Sequence, residues 1–98
     1  MNAKKELIDL YSDLGLTIKC ATIEYVTELF IKDIVLKVGG DLPEFLNELD
    51  LEYSNRYGEQ YLYGTVWFTD GTWANREVYD GSEWWGYKKC PEIPEELR

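Results

Sequence analysis

The period of hydrophobic and polar positions changes along the chain, and each change marks a new element. From Asn2 to Leu14 the apolar residues Leu7, Ile8, Leu10, Tyr11 and Leu14 recur at i, i+3, i+4 and i+7, which predicts an amphipathic helix. Asn2 is placed to cap its first turn and Gly15 to stop it, with Glu6, Asp9 and Asp13 facing water. Leu16 to Val26 alternates apolar and polar with many β-branched residues, the pattern of a strand. Thr27 to Val38 has some helical spacing, but Ile34, Leu36 and Val38 alternate with Asp33, Val35 and Lys37. The segment is read as the return strand of a hairpin, through a tight polar turn near Val26 to Glu28. Gly39-Gly40 breaks the pattern. Asp41 then caps a short helix with Pro43 in its first turn, Glu44 three residues after the cap, an apolar stripe of Phe45, Leu46 and Leu49, and an end near Asp50. Leu51 to Tyr57 reads as a short strand or extended connection, and Gly58-Glu59 leads onward.

The stretch Gln60 to Lys89 holds all four tryptophans, Trp67, Trp73, Trp84 and Trp85, and is cut by Asp70-Gly71 and Asp80-Gly81. Asp-Gly between aromatic and β-branched runs signals a hairpin, because Gly accepts the positive φ that closes the turn. The stretch predicts a three-stranded antiparallel meander. Two-residue loops would set Phe68 against Trp73 and Trp84 against Glu77. Three-residue loops with a glycine bulge would set Trp67 against Trp73 and Trp84 against Arg76, and this second register is expected. It gathers Leu62, Val66, Phe68, Ala74, Val78 and Trp84 on one face and Tyr61, Tyr63, Trp67, Trp73, Tyr79, Trp85 and Tyr87 on the other. After Lys89, Pro91 and Pro94 bracket Ile93 in an extended tail. The expected architecture is α+β in a single domain, residues 1–98. Two short helices pack on an antiparallel sheet of four to six strands, with the C-terminal three-stranded meander at residues 60–89.

Composition narrows the function more than the fold. An apolar content of 45% with 15% aromatics supports a folded globule in a chain of 98 residues. No apolar run approaches the ~20 residues that span a bilayer. The opening MNAKKELIDLYSDLG has an amphipathic acidic pattern unlike a signal peptide, so a cytoplasmic protein with no membrane partner is expected. Cys20 and Cys90 are far apart and in no CxxC, which suits two free thiols, with a disulfide between them as the alternative. The chain has no histidine, hence neither the commonest general base nor the commonest metal ligand. No GxGxxG, P-loop or GxSxG is present. Glu77 and Glu83 form a carboxylate pair of the kind glycosidases use, but with 19 acids such pairs arise by chance. No enzyme activity, metal or cofactor is expected.

The net charge of −9 argues against direct nucleic-acid binding, since the meander offers only Arg76, Lys88 and Lys89 for phosphates. It suits a partner with a basic surface. Asp41, Glu44, Glu48, Asp50 and Glu52 form an acidic segment with no base between Lys37 and Arg56, and Glu24, Glu28 and Asp33 could extend it. Carboxylates spaced along a rigid helix can occupy Arg and Lys sites that otherwise hold a nucleic-acid backbone. Trp67, Trp73 and Trp85 are the candidate anchors for a protein interface.

The segments GTVWFTDGTW, EVYDGSEWW and CPEIPEEL, within Leu46 to Leu97, resemble those of small uncharacterised proteins carried by bacteriophages and prophages. The short, acidic, single-domain profile is similar in kind to that of anti-CRISPR and other anti-defence inhibitors. The resemblance implies a non-enzymatic inhibitor that covers the basic nucleic-acid-handling surface of a host defence protein, such as a CRISPR effector. The alternative is a small interaction module, or a homodimeric structural protein, that uses an aromatic sheet face.

Overall fold

The computed structural model describes residues 1–53, 60–79, 82–89 and 96. Helix α1 (Ala3–Leu14) is capped as expected: the Asn2 side chain accepts from the Lys5 N–H at 2.9 Å. Gly15 ends it in the left-handed region at φ 67°, where its N–H meets the Ser12 carbonyl at 3.2 Å. Ala3 and Leu7 are buried, Leu10 and Tyr11 pack at the margin, and Leu14 is exposed. Strands β1 (Ile18–Val26) and β2 (Ile31–Leu36) form the expected hairpin, with a β-bulge in β1 between Ile18 and Cys20. The turn is longer than expected and runs from Thr27 to Phe30. The Thr27 hydroxyl oxygen accepts from the N–H groups of Leu29 and Phe30, which closes it without Gly or Pro. Asp41 caps α2 (Leu42–Glu48), which buries Phe45 and, just beyond its end, Leu49. Leu51 to Tyr53 run beside the N-terminus, with Ala3 donating to Leu51 and Tyr53 to Met1, each at 2.9 Å. The rest of that expected strand, and Gly58-Glu59, lie outside the described residues, as does the expected tail around Pro91 and Pro94.

Strands β3 (Leu62–Phe68), β4 (Trp73–Tyr79) and β5 (Ser82–Lys88) complete an antiparallel sheet in the order β2-β1-β3-β4-β5. The fold is therefore α+β. Both helices contribute to one hydrophobic core on a single face of the sheet, with Ile18, Ala21, Ile23, Ile34, Leu36, Leu62, Val66, Phe68, Ala74 and Trp85.

The two meander turns differ. At the first, Trp67 pairs with Trp73, and Phe68 donates to Thr72 across a three-residue loop, Thr69-Asp70-Gly71, with Gly71 at φ 90°. This is the bulged register. At the second, Tyr79 pairs with Ser82 and Trp84 with Glu77, which is the two-residue register. Asp80 and Gly81 themselves lie outside the described residues. The one-residue difference flips all of β5 relative to expectation. Trp85 and Tyr87 move to the core face, where Tyr87 packs on Phe68, and Trp84 moves to the opposite face. Tyr61 turns inward against Tyr53, and Val78 is exposed.

The ladder between β3 and β4 holds only three residue pairs, Thr65–Asn75 to Trp67–Trp73. Beyond it, the Glu83 carboxylate of β5 accepts from the N–H groups of Tyr61 at 2.7 Å and Leu62 at 3.1 Å. A side chain there does what a neighbouring strand does elsewhere. No described helix is long and apolar enough to cross a membrane.

Candidate functional site

Alternation along the strands leaves the second sheet face to Cys20, Thr22 and Glu24 of β1, Tyr63, Thr65 and Trp67 of β3, Trp73, Asn75 and Glu77 of β4, and Trp84, Gly86 and Lys88 of β5. No described element covers it. Trp67 and Trp84 are each 40% exposed and Tyr63 42%, while Trp73 is half-buried between Trp67 and Lys88. Thr65 donates to Asn75 at 2.9 Å. The Glu77 carboxylate accepts from Trp84 Nε1 at 3.1 Å and pairs with Lys88 Nζ at 2.6 Å. It lies directly over Gly86, where any Cβ would collide with it. The Lys88 hydrogen bond holds the Glu77 carboxyl below its ordinary value. The aromatic half of the face is thus electrically balanced.

The other half is not. Glu24 sits directly opposite Asp33 of β2 and beside Tyr63 of β3. Both acids are exposed, and neither has an ion pair among the described residues. Like charges directly opposed in a sheet oppose its stability.

Of the expected anchors, Trp67 and Trp73 lie on this open face. Trp85 does not: it is only 7% exposed, with the Arg76 guanidinium 5.2 Å from its ring and, among the described residues, no hydrogen-bond partner for its Nε1. Trp84 takes its place on the surface. The expected acidic array also divides. Asp41, Glu44 and Glu48 line one groove of about 290 Å³ between β2 and α2, with Val35, Lys37 and Phe45. Asp50 and Glu52 instead accept from the Asn2 side chain at 2.9 and 3.1 Å, and Glu52 pairs with the N-terminal amine at 3.7 Å. These two acids tie down the start of α1.

The sequence reading missed a buried polar cluster behind the open face. Arg76 donates through Nε to Glu83 at 2.9 Å and through Nη2 to the Tyr53 hydroxyl at 2.6 Å. Its Nη1 faces Glu6 at 2.9 Å as an ion pair, outside hydrogen-bond geometry. The Tyr53 hydroxyl in turn donates to Glu6. Burial by itself lowers the Arg76 guanidinium, but Glu6 and Tyr53 more than offset it and hold it above its ordinary value. Burial and the Glu6 hydrogen bond push the Tyr53 phenol well up, so it stays protonated. Glu6 was expected to face water and is turned inward by this guanidinium. Glu77 and Glu83 lie on opposite faces of the sheet and cannot act on one substrate. The signal for the cluster was an Arg at a core-face position of a strand.

Cys20 is a half-buried free thiol in a cleft of about 370 Å³ with Lys19, Trp67, Phe68, Gly71 and Thr72, and Cys90 lies outside the described residues. Among the described residues no group of three or more His, Cys, Asp or Glu side chains could hold a metal ion. The chain matches no protein-family model, no curated protein and no solved structure.

Proposed function

We propose that this protein acts without turnover, by binding another protein and covering a basic, nucleic-acid-handling surface of it. In this reading it works in the cytoplasm as an inhibitor of the anti-CRISPR or anti-defence kind. The observation that carries the reading is the open sheet face, which joins the exposed Trp67, Trp84 and Tyr63 to the uncompensated carboxylates Glu24 and Asp33. Aromatic anchors beside unpaired acids suit a partner surface rich in Arg, which can stack and ion-pair at once. Asp41 at the cap of α2, with Glu44 and Glu48 on the helix, adds negative charge near the β2 edge of the same sheet.

A second reading keeps the aromatic interface and gives the charge to solubility alone. It is favoured by the engagement of Asp50 and Glu52 at the N-terminus, which removes both from any phosphate-like array. Affinity capture from a bacterial host lysate, compared for the parent, Trp67→Ala/Trp84→Ala and Glu24→Gln/Asp33→Asn, separates the two. Charge complementarity predicts a basic partner that both variants lose and that salt releases steeply. Capture of one partner that only the tryptophan variant loses, independent of salt, selects the second reading.

A further inference from the structure

We propose that two copies of this chain pair antiparallel along β2, on a two-fold axis through Val35, and merge their sheets into one. This does not rest on the partner-binding reading; of the two open-face acids named there it engages Asp33 and leaves Glu24. Strand β2 has β1 on one side only, so backbone N–H and C=O groups between Ile31 and Val35 point outward; just past its end the Lys37 carbonyl accepts from the Gly40 N–H at 2.8 Å as the chain turns into α2. Apolar side chains line this edge: Ile31 is 66% exposed, Val35 50% and Val38 67%, with Phe30 of the adjoining turn at 51%.

Charge selects the register. Asp33 and Lys37 flank Val35 at equal spacing along the chain; neither has an ion pair among the described residues, and Lys37 shares its groove with Asp41, Glu44 and Glu48. Asp33 already faces the like charge of Glu24 across β1. A two-fold axis perpendicular to the sheet keeps each face on its own side, so only registers in which a residue meets itself are allowed. Centred on Asp33, the strands set carboxylate against carboxylate. Centred on Ile34, they set Asp33 against Val35. Centred on Val35, they set Asp33 against Lys37 of the second copy, and Lys37 against its Asp33. Both unpaired charges then find partners together, and Asp33 gains a cation on the side away from Glu24. Ile34 and Leu36, both buried on the core face, come opposite each other across the seam.

Sedimentation of the purified protein from ~5 to 500 µM, near ~0.15 M salt, is the test. The parent is expected as a dimer at the upper end. Asp33→Lys turns two attractive pairs into two repulsive ones and should raise the dimer dissociation constant by at least about tenfold. The double reversal Asp33→Lys/Lys37→Asp should restore it. Val35→Cys, made with Cys20→Ser and Cys90→Ser, should give a disulfide-linked dimer under mild oxidation. Circular dichroism checks each fold, and the Val35→Cys cross-link decides if the double reversal does not fold. A parent that stays monomeric throughout overturns the proposal. So does a dimer indifferent to Asp33→Lys, a folded double reversal no tighter than the single, or failure of Val35→Cys to cross-link.

Discussion

Arg76 grips one oxygen of Glu83 twice, through Nε at 2.9 Å and Nη2 at 2.8 Å, at a place solvent does not reach. The same carboxylate also receives the backbone of Tyr61 and Leu62. Removing one member of a buried pair leaves the other charge stranded, at about 3–5 kcal/mol. Glu83→Gln and Arg76→Met should each lower stability by about this much, read from urea midpoints. Joint replacement by apolar residues often relieves such a loss. Here it should not, because Arg76→Met/Glu83→Leu still leaves two N–H groups without an acceptor, at about 1–3 kcal/mol each. A double variant as stable as the parent would contradict this.

The β5 register sorts neighbouring tryptophans into opposite roles. Trp85→Ala empties a core site and should cost about 3–5 kcal/mol. Trp84→Ala removes a surface ring and should cost about 1 kcal/mol or less. Thermal melts of the pair are a direct check, and the reverse order would mean that β5 is flipped.

Gly71 and Gly64 are needed for different reasons. A Cβ at Gly71 meets nothing within 4 Å, so Gly71→Val pays only for positive φ, about 1 kcal/mol or more. A Cβ at Gly64, at φ 136°, would strike the Thr22 carbonyl oxygen on β1. Gly64→Ala should therefore be the more damaging change in side-by-side denaturant unfolding.

The Glu77–Lys88 pair sets a pH signature. Its hydrogen bond from Lys88 lowers the Glu77 carboxyl in the folded state, so its contribution is fully present above the unfolded carboxylate value, ~4.3. That contribution is lost as pH falls through the folded value. Glu77→Gln should flatten the acid limb of the melting curve below the unfolded carboxylate value and leave the neutral limb unchanged. An NMR titration of the Glu77 side chain gives the direction independently.

The elements and their order were legible because periodicity, caps and breaks agree at Asn2, Gly15, Gly39-Gly40 and Asp41. The Trp67–Trp73 pair was legible for the same reason. The β5 register was not, because Asp-Gly serves loops of two and of three residues. What decides between them is the burial of Arg76 beside Glu83, and the usual preference for charges in water points the other way. Glu6 was misplaced by that same preference. The split of the acidic array was hidden because Asp50 and Glu52 are claimed by Asn2, nearly fifty residues away in sequence. The open face was readable as aromatic, but a single sequence does not reveal which side two helices cover.

With only three residue pairs between β3 and β4, the sheet has a seam. On one side lie β2, β1 and β3, on the other the β4–β5 hairpin, stitched across by Glu83. Breathing motions should follow that line, with the hairpin swinging away as a unit before either half unravels. In hydrogen exchange the Tyr61 and Leu62 amides would then keep time with the hairpin, not with the strand to which they belong.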